Sequence, residues 1–275
     1  MIKNALTFDV EEYFQVSNFS KAIKRKEWEK IPSRLSVGLN KILGILAEHK
    51  VKATFFVLGW AAERHPELIK RIALNGHEIA SHGYDHQLIY NQSKEEFTKD
   101  LEKSLSIIRA ISKEKVLGFR APSFSIVKKS YWALKILAQH GIRYDASIFP
   151  IMHHRYGIED SYRFPYEIKA NGDSIIEFPC STTRFLGKNV PFSGGGYLRL
   201  LPYAVIKHFI AQLNRRQKPA IVYIHPWELD PGQPRINAGA LNHWRHYQGL
   251  GTTEPKLRRL LSDFKFTTVK EVLGL

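Results

Sequence analysis

The residues best equipped for chemistry are the two histidines of Ser81-His82-Gly83-Tyr84-Asp85-His86 and the carboxylates that end Ala5-Leu6-Thr7-Phe8-Asp9-Val10-Glu11-Glu12. Histidines four residues apart on a helical turn point the same way and can reach one ion. Two imidazoles and a carboxylate, with one position left to water, form a common ligand set of catalytic zinc. Hydrolysis at such a centre needs a free carboxylate to take the proton of the attacking water. A second group must protonate the departing amine or alcohol. Asp9 suits the base. His225, which ends Ala220-Ile221-Val222-Tyr223-Ile224-His225, suits the acid, because an imidazolium gives up a proton near neutral pH. Arg120 is positioned to keep Asp9 ionised, and Asp145 to keep His225 protonated. Backbone N–H groups after Pro122 can face a developing oxyanion.

These residues need a scaffold that gathers them. Apolar, β-prone runs at 5–10, 51–58, 77–80, 116–120, 142–145 and 220–225 alternate with helical spacing at 33–50, 66–74, 94–112, 130–140 and 202–214. Ser33 or Ser36 is a candidate cap for the first helix, and Asn75-Gly76 ends the second. The segment 12–32 reads as a loop with a short helix over the mouth, 149–189 as β-rich and irregular, and 192–197 as a glycine loop. A tail helix over 254–264 and a last strand over 266–269 complete the chain. Alternation of this kind argues an α/β fold with a mostly parallel sheet. Asp9, His82, His86, Arg120, Asp145 and His225 all fall at or just after strand C-terminal ends, which share one rim in a parallel barrel.

Composition narrows the classes. The 275 residues are 44% hydrophobic and 24% charged, with no linker and no internal repeat, so one globular domain is expected. The net charge of +15 is spread among acids, as in Lys21-Ala22-Ile23-Lys24-Arg25-Lys26-Glu27, and no nucleic-acid-binding signature accompanies it. Specific nucleic-acid binding is not expected. A negatively charged glycan or membrane surface stays open as a partner. Cys180 is the single cysteine and sits in an apolar run, which rules out an intrachain disulfide. No leader pattern and no run of about 18 apolar residues is found, so a cytoplasmic chain without a membrane span is expected.

Taken in order, the motifs resemble those of the polysaccharide deacetylases of the NodB-homology group, carbohydrate esterase family 4. Thr7-Phe8-Asp9 is similar to the first motif and His82 to His86 to the H-x-x-x-H metal motif. Arg120-Ala121-Pro122 is similar to R-x-P, Asp145-Ala146-Ser147 to D-x-S, and Ile224-His225-Pro226 to the last motif. The resemblance implies a distorted (β/α)7 barrel over about 1–230, with a C-terminal extension over about 231–275 packed on it. It also implies one divalent metal ion, usually zinc. Asp9 is then the base, His225 the acid, Arg120 the residue that orients the base, and Asp145 the residue that tunes the acid. The family usually starts with two adjacent aspartates, but Val10 takes the second place here. An Asp-x-Asp variant puts Glu11, rather than Glu12, on the metal with His82 and His86. The aromatic that follows R-x-P is displaced, leaving Ser123 to supply the oxyanion N–H with Phe124 beside it.

Within the family, Asp9-Val10-Glu11-Glu12-Tyr13-Phe14, the stretch Ser193 to Arg199 and His225-Pro226-Trp227-Glu228 resemble the branch found with exosortase and exopolysaccharide gene clusters. The implied substrate is an N-acetylated bacterial polysaccharide. Tyr197 and Trp227 are candidates to stack on sugar rings, while Glu228 and Asp230 either anchor their loop or bind sugar hydroxyls. His246 is a candidate by the branch resemblance alone; His65, His77, His140, His153, His154 and His208 are read as structural or exposed. Two other functions compete: hydrolysis of a small N-acyl or cyclic amide, and an inactive glycan-binding barrel, for which the Val10 substitution speaks.

Overall fold

An apolar run buried on both faces sits at the centre of the molecule. Strand β1 (Lys3–Val10) is buried from Asn4 onward, the pattern of a strand covered by helices on one side and barrel interior on the other. The computed structural model describes residues 2–153, 155–170 and 173–275. The further strands are β2 (Thr54–Val57), β3 (Glu78–Ser81), β4 (Gly118–Phe119), β5 (Tyr144–Asp145), β6 (Tyr166–Ala170) and β7 (Asp173–Glu177). They continue with β8 (Thr182–Phe185), β9 (Lys188–Pro191), β10 (Ile221–Ile224) and β11 (Lys265–Thr267). The helices are α1 (Leu35–Glu48), α2 (Gly59–Arg64), α3 (Pro66–Leu74), α4 (Lys94–Ser112) and α5 (Trp132–Gln139). After them come α6 (Gly195–Leu200), α7 (Tyr203–Arg215), α8 (Ala240–Tyr247), α9 (Leu250–Asp263) and α10 (Val269–Leu273).

Parallel strands follow the order β10-β1-β2-β3-β4-β5-β7, with β6 antiparallel on β7 and β11 added beside β1. The fold is α/β with a parallel sheet. Among the described residues β7 and β10 share no ladder; irregular chain fills the seam between them. Cys180 N–H donates to Ile148 O at 3.0 Å, Ser193 Oγ donates to Ser181 O at 3.1 Å, and Tyr223 N–H donates to Ser193 O at 3.1 Å. Gly194 lies so close to Tyr223 that an added Cβ would come within 2.2 Å of the ring, so only glycine fits this crossing.

The helices form where the sequence supplies both cap and stripe. In α4, Ser93 Oγ accepts from Glu96 N–H at 3.1 Å while Glu96 accepts from Ser93 N–H at 2.7 Å, and Phe97, Leu101, Leu105 and Ile108 face the core. The start of α1 is capped by two side chains. Ser33, one of the two serines expected there, shares the role with a distant acid: its Oγ accepts from Leu35 N–H at 3.4 Å, while the Glu12 carboxylate accepts from Arg34 N–H at 3.0 Å and from Leu35 N–H at 3.4 Å.

Several local expectations are corrected. The glycine loop becomes helical at Gly195, α2 and α8 had no distinct signal, and the last strand ends at Thr267 before α10 begins. The tail helix begins earlier, at Leu250, and carries Pro255 in its interior. His154 lies outside the described residues. Among those described, no helix is long and apolar enough to cross a membrane.

Candidate active site

Asp9 is the penultimate residue of β1, and the chain turns immediately after Val10, with Glu11 N–H donating to Asp9 O at 3.1 Å. That turn sends the next two acids in different directions. Glu12 leaves to cap α1, whereas Glu11 enters the cleft, where its Oε2 lies 2.7 Å from His86 Nε2. His82 follows β3, and its Nδ1–H donates to Arg120 O at 2.7 Å, which leaves Nε2 facing the cleft. The two histidines do not share a helix turn. Gly83 (φ 74°) and His86 (φ 52°) carry left-handed backbone in a loop, and the loop rather than helical periodicity brings the rings to a centroid separation of 5.5 Å.

Donor atoms of Glu11, His82 and His86 all lie within 4.8 Å of one another. Glu11 Oε2 is buried with no aligned hydrogen-bond donor, although His86 is close, so both atoms aim into the same small space. Two imidazole nitrogens and one carboxylate oxygen around such a space fit a divalent cation. Burial alone raises the Glu11 pKa; the charge and hydrogen bond of His86, aided by His225 and His82, outweigh it and take the group down to about 2. Burial pushes His82 down to about 4, so its ring is neutral and able to ligate.

Arg120 is wholly buried beneath this cluster. Its Nη1 donates to Asp9 Oδ1 at 2.6 Å and to Thr7 Oγ1 at 2.8 Å, its Nε donates to Ala146 O at 3.1 Å, and its guanidinium carbon lies 4.1 Å from the centre of the Phe56 ring. The other Asp9 oxygen, Oδ2, lies 3.8 Å from His225 Nε2, and Glu11 Oε1 lies 3.7 Å from the same nitrogen.

Asp145 does not touch His225. Its carboxylate accepts from Ser147 Oγ at 2.6 Å, and Ser147 Oγ accepts from Ala121 N–H at 2.7 Å, so Asp145 braces the Arg120–Pro122 segment instead. The partner of His225 is Glu228, whose Oε1 accepts from the ring Nδ1 at 2.7 Å and from the His225 backbone N–H at 3.0 Å. Arg199 Nε in turn lies 2.9 Å from Glu228 Oε2. Burial lowers the His225 pKa, but Glu228, Glu11 and Asp9 overcome it and raise the ring to about 9. The signal for Glu228 was present as spacing: an acid three residues after a strand-end residue can fold back on it, as in a capping box. Arg199 had no such signal, because its other partners are carbonyls of 245, 246 and 248.

Four substrate-binding expectations fare differently. Ser123 (φ 52°) and Phe124 (φ 54°) line the cleft on consecutive left-handed residues. Phe124 N–H is bonded to Ala121 O and Ser125 N–H to Pro122 O, while Ser123 Oγ meets Ser17 Oγ at 2.5 Å. Tyr197 does not line the cleft; it lies behind Tyr156, which does. Trp227 reaches the cleft edge, but it is only 8% exposed and its ring stacks on His225 at 5.1 Å and on His246 at 4.2 Å between ring centroids. Little of its surface is left for a sugar, and its indole N–H donates to Glu11 Oε1 at 3.2 Å. Asp230 anchors its loop by accepting from Arg34 at 2.5 and 2.9 Å.

The cleft, of about 190 Å³, also includes Val16, Ser17 and Asn18, and it shares Tyr90, Arg155 and Tyr156 with a neighbouring cavity of about 790 Å³. His153 stacks on Tyr156 at 3.9 Å between centroids at that junction.

Comparison with known proteins adds the family. A peptidoglycan-N-acetylglucosamine deacetylase of Bacillus cereus is 36% identical over 94 residues, covering 34% of this chain and 34% of the relative. A chitooligosaccharide deacetylase of Rhizobium leguminosarum bv. trifolii is 52% identical over 46 residues, 17% of this chain and 21% of that protein. The chain thus aligns with about a third or less of the length of these relatives. The crystal structure of a Mycobacterium smegmatis protein assigned as a polysaccharide deacetylase superposes with a TM-score of 0.63 at 23% identity, over 98% of this chain and 88% of that one. Residues 146–274 match a domain of unknown function (DUF3473), the part that supplies His225, Glu228 and Arg199. Residues 5–144, which carry Asp9, Glu11, both cleft histidines and Arg120, match the polysaccharide deacetylase model, and the chain belongs to that family.

Proposed function

We propose that the chain hydrolyses N-acetyl groups of a bacterial polysaccharide, with Asp9 as base, His225 as acid and a divalent ion held by Glu11, His82 and His86. The observation that carries this reading is the meeting of Asp9 Oδ2 and His225 Nε2, 3.8 Å apart, directly beside the Glu11–His82–His86 cluster. When bound, such an ion supplies Lewis acidity to an acyl carbonyl and to water. Zinc suits the mixed nitrogen and oxygen donors.

Asp9 accepts the proton of the attacking water on Oδ2, while Arg120 occupies Oδ1 and fixes the carboxylate plane. As the acyl C–N bond breaks, the His225 Nε2 proton passes to the departing amine nitrogen. Glu228 orients the ring by accepting at Nδ1. The Ser123 N–H faces the developing oxyanion, held in place by the Asp145–Ser147–Ala121 chain of hydrogen bonds. The products are acetate and a free amino sugar.

A polymer suits the cleft better than a small amide, because a larger cavity borders the cleft across Tyr90, Arg155 and Tyr156. The sequence resemblance to the exosortase-associated branch favours an exopolysaccharide. Residues 1–275 act as one catalytic unit, a reading supported by the pairing of both β10 and β11 with β1.

The test is acetate release from N-acetylglucosamine oligomers by the zinc-loaded protein. Release by the parent and none by Asp9→Asn or His225→Ala is expected. Release that survives both substitutions would remove the proposed acid and base.

A further inference from the structure

The β8–β9 hairpin stands apart from the main sheet as a two-stranded unit joined by Leu186 (φ 48°) and Gly187 (φ 77°). Two successive left-handed residues make the tight turn that favours Asn-Gly, since a bulky side chain is strained there. Here leucine takes the first position with 86% of its surface exposed, next to Phe185 at 64%. An aromatic and an aliphatic side chain held at a protruding turn gain nothing from the fold itself. Folding alone would favour a polar residue at both places.

The surroundings are basic. Arg184 and Lys188 flank the tip and are exposed. At the hairpin base Arg163 donates through Nε to Thr182 Oγ1 at 3.0 Å, and burial together with the charges of Arg184 and Arg216 lowers its pKa. Among the described residues the cationic partners in ion pairs lie elsewhere, and Arg163, Arg184, Lys188 and Arg216 form none. Like charges gathered without acids raise the energy of the free protein, and an anionic surface relieves it.

We propose that the Phe185–Leu186 tip, flanked by Arg184 and Lys188 and backed by Arg163 and Arg216 toward the hairpin base, docks the protein on an anionic lipid bilayer. The two apolar side chains enter the acyl boundary, Arg184 and Lys188 sit at the level of the headgroup phosphates, and Arg163 and Arg216 add to the attraction from behind them. An anionic glycan would satisfy the charges but offers no apolar phase for the tip, so the lipid surface accounts for both features. The hairpin rests on the far end of the fold from the reaction. Thr183 Oγ1 donates to Gln212 at 3.2 Å near the C-terminal end of α7, where the chain enters β10, whereas His225 follows the opposite end of that strand. Docking there leaves the cleft open to a polymer, and it holds whether or not the deacetylase reading does.

The experiment is cosedimentation of the full chain with vesicles of phosphatidylcholine alone or mixed with phosphatidylglycerol. Partition into the mixed vesicles only is expected, falling tenfold or more in the double variant Phe185→Ser/Leu186→Ser, in Arg184→Glu/Lys188→Glu, and at high salt. Leu74→Ser, which removes an exposed leucine elsewhere, leaves partition unchanged. Circular dichroism melts of these surface variants should match the parent, and acetate release from soluble oligomers should be unaltered. The proposal is overturned if the parent does not partition into the mixed vesicles, or if the Phe185→Ser/Leu186→Ser variant binds them undiminished. It is overturned equally if a soluble anionic polysaccharide retains Phe185→Ser/Leu186→Ser as well as the parent, fails to retain Arg184→Glu/Lys188→Glu and displaces the parent from vesicles, which would make the surface a polymer site.

Discussion

The Trp227 indole N–H donates to Glu11 Oε1 at 3.2 Å, which leaves the other oxygen of that carboxylate turned toward His86. Trp227 itself stacks on His225 and His246, so a residue expected to hold sugar instead positions an acid of the candidate metal cluster. Groups that fix a ligand's orientation commonly change metal affinity by about 10–100-fold when removed. Trp227→Phe keeps the stacked ring and loses the donor. We expect zinc affinity, measured by chelator competition, to weaken by roughly that factor with the fold unchanged. Unaltered affinity would mean that the indole N–H does not orient Glu11.

Glu228 and Asp145 should separate in kinetics. Glu228 touches the His225 ring, whereas Asp145 acts only on the Arg120–Pro122 backbone through Ser147. Glu228→Gln is expected to lower kcat by about a hundredfold with KM little changed, in the range typical for losing the orientation of a general acid. Asp145→Asn should also lower kcat, because it loosens the turn that carries the Ser123 N–H. It leaves the alkaline limb of the pH–rate profile in place, whereas Glu228→Gln moves that limb to lower pH by removing a charge that raises the His225 pKa. The reverse pattern would return the tuning role to Asp145.

The buried Asp145 and Glu177 carboxyls predict an alkaline weakness. Burial raises both pKa values, and the charge of Asp145 raises Glu177 further, well above the ordinary range. A carboxyl whose folded pKa exceeds its unfolded value binds more protons when folded. Its contribution is complete below the unfolded pKa and is lost as pH rises through the folded one. Glu177→Gln carries its hydrogens at every pH. Urea unfolding across a pH series should therefore show parent stability declining on the alkaline side more steeply than that of Glu177→Gln. Parallel curves would argue that Glu177 is ionised in the folded protein.

Gly38 sets how closely α1 approaches the 226–229 turn that follows His225. A Cβ at this position would fall 1.9 Å from Pro226 O, a backbone atom that cannot swing away. Gly38→Ala should cost about 1–3 kcal/mol, the usual range for overpacking, read as a lower urea midpoint. Because the displaced backbone carries His225, acetate release should fall more than the loss of folded protein explains. A stable and fully active variant would mean that this contact is looser than its distance implies.

The sequence by itself determined the residue types of the cleft and most of the layout. Strand-ending acids and histidines, the Ser93–Glu96 cap and the alternation of apolar runs are encoded over a few neighbouring residues, where spacing has direct geometric meaning. That was enough to choose Glu11 over Glu12 for the cleft, although the chain turns after Val10 and β1 does not continue to carry that alternation. Only the tertiary structure decided who partners whom across the chain. Asp145 turns to Ser147 and not to His225, Trp227 turns its N–H to Glu11, Arg199 reaches Glu228, and Glu12 caps a helix more than twenty residues away. Those pairings depend on how loops with left-handed residues such as His86 and Ser123 bend, and on which buried polar group is nearest once the strands are in register. Local spacing carries little information about such distances, because a buried polar side chain generally takes the partner that packing brings within reach.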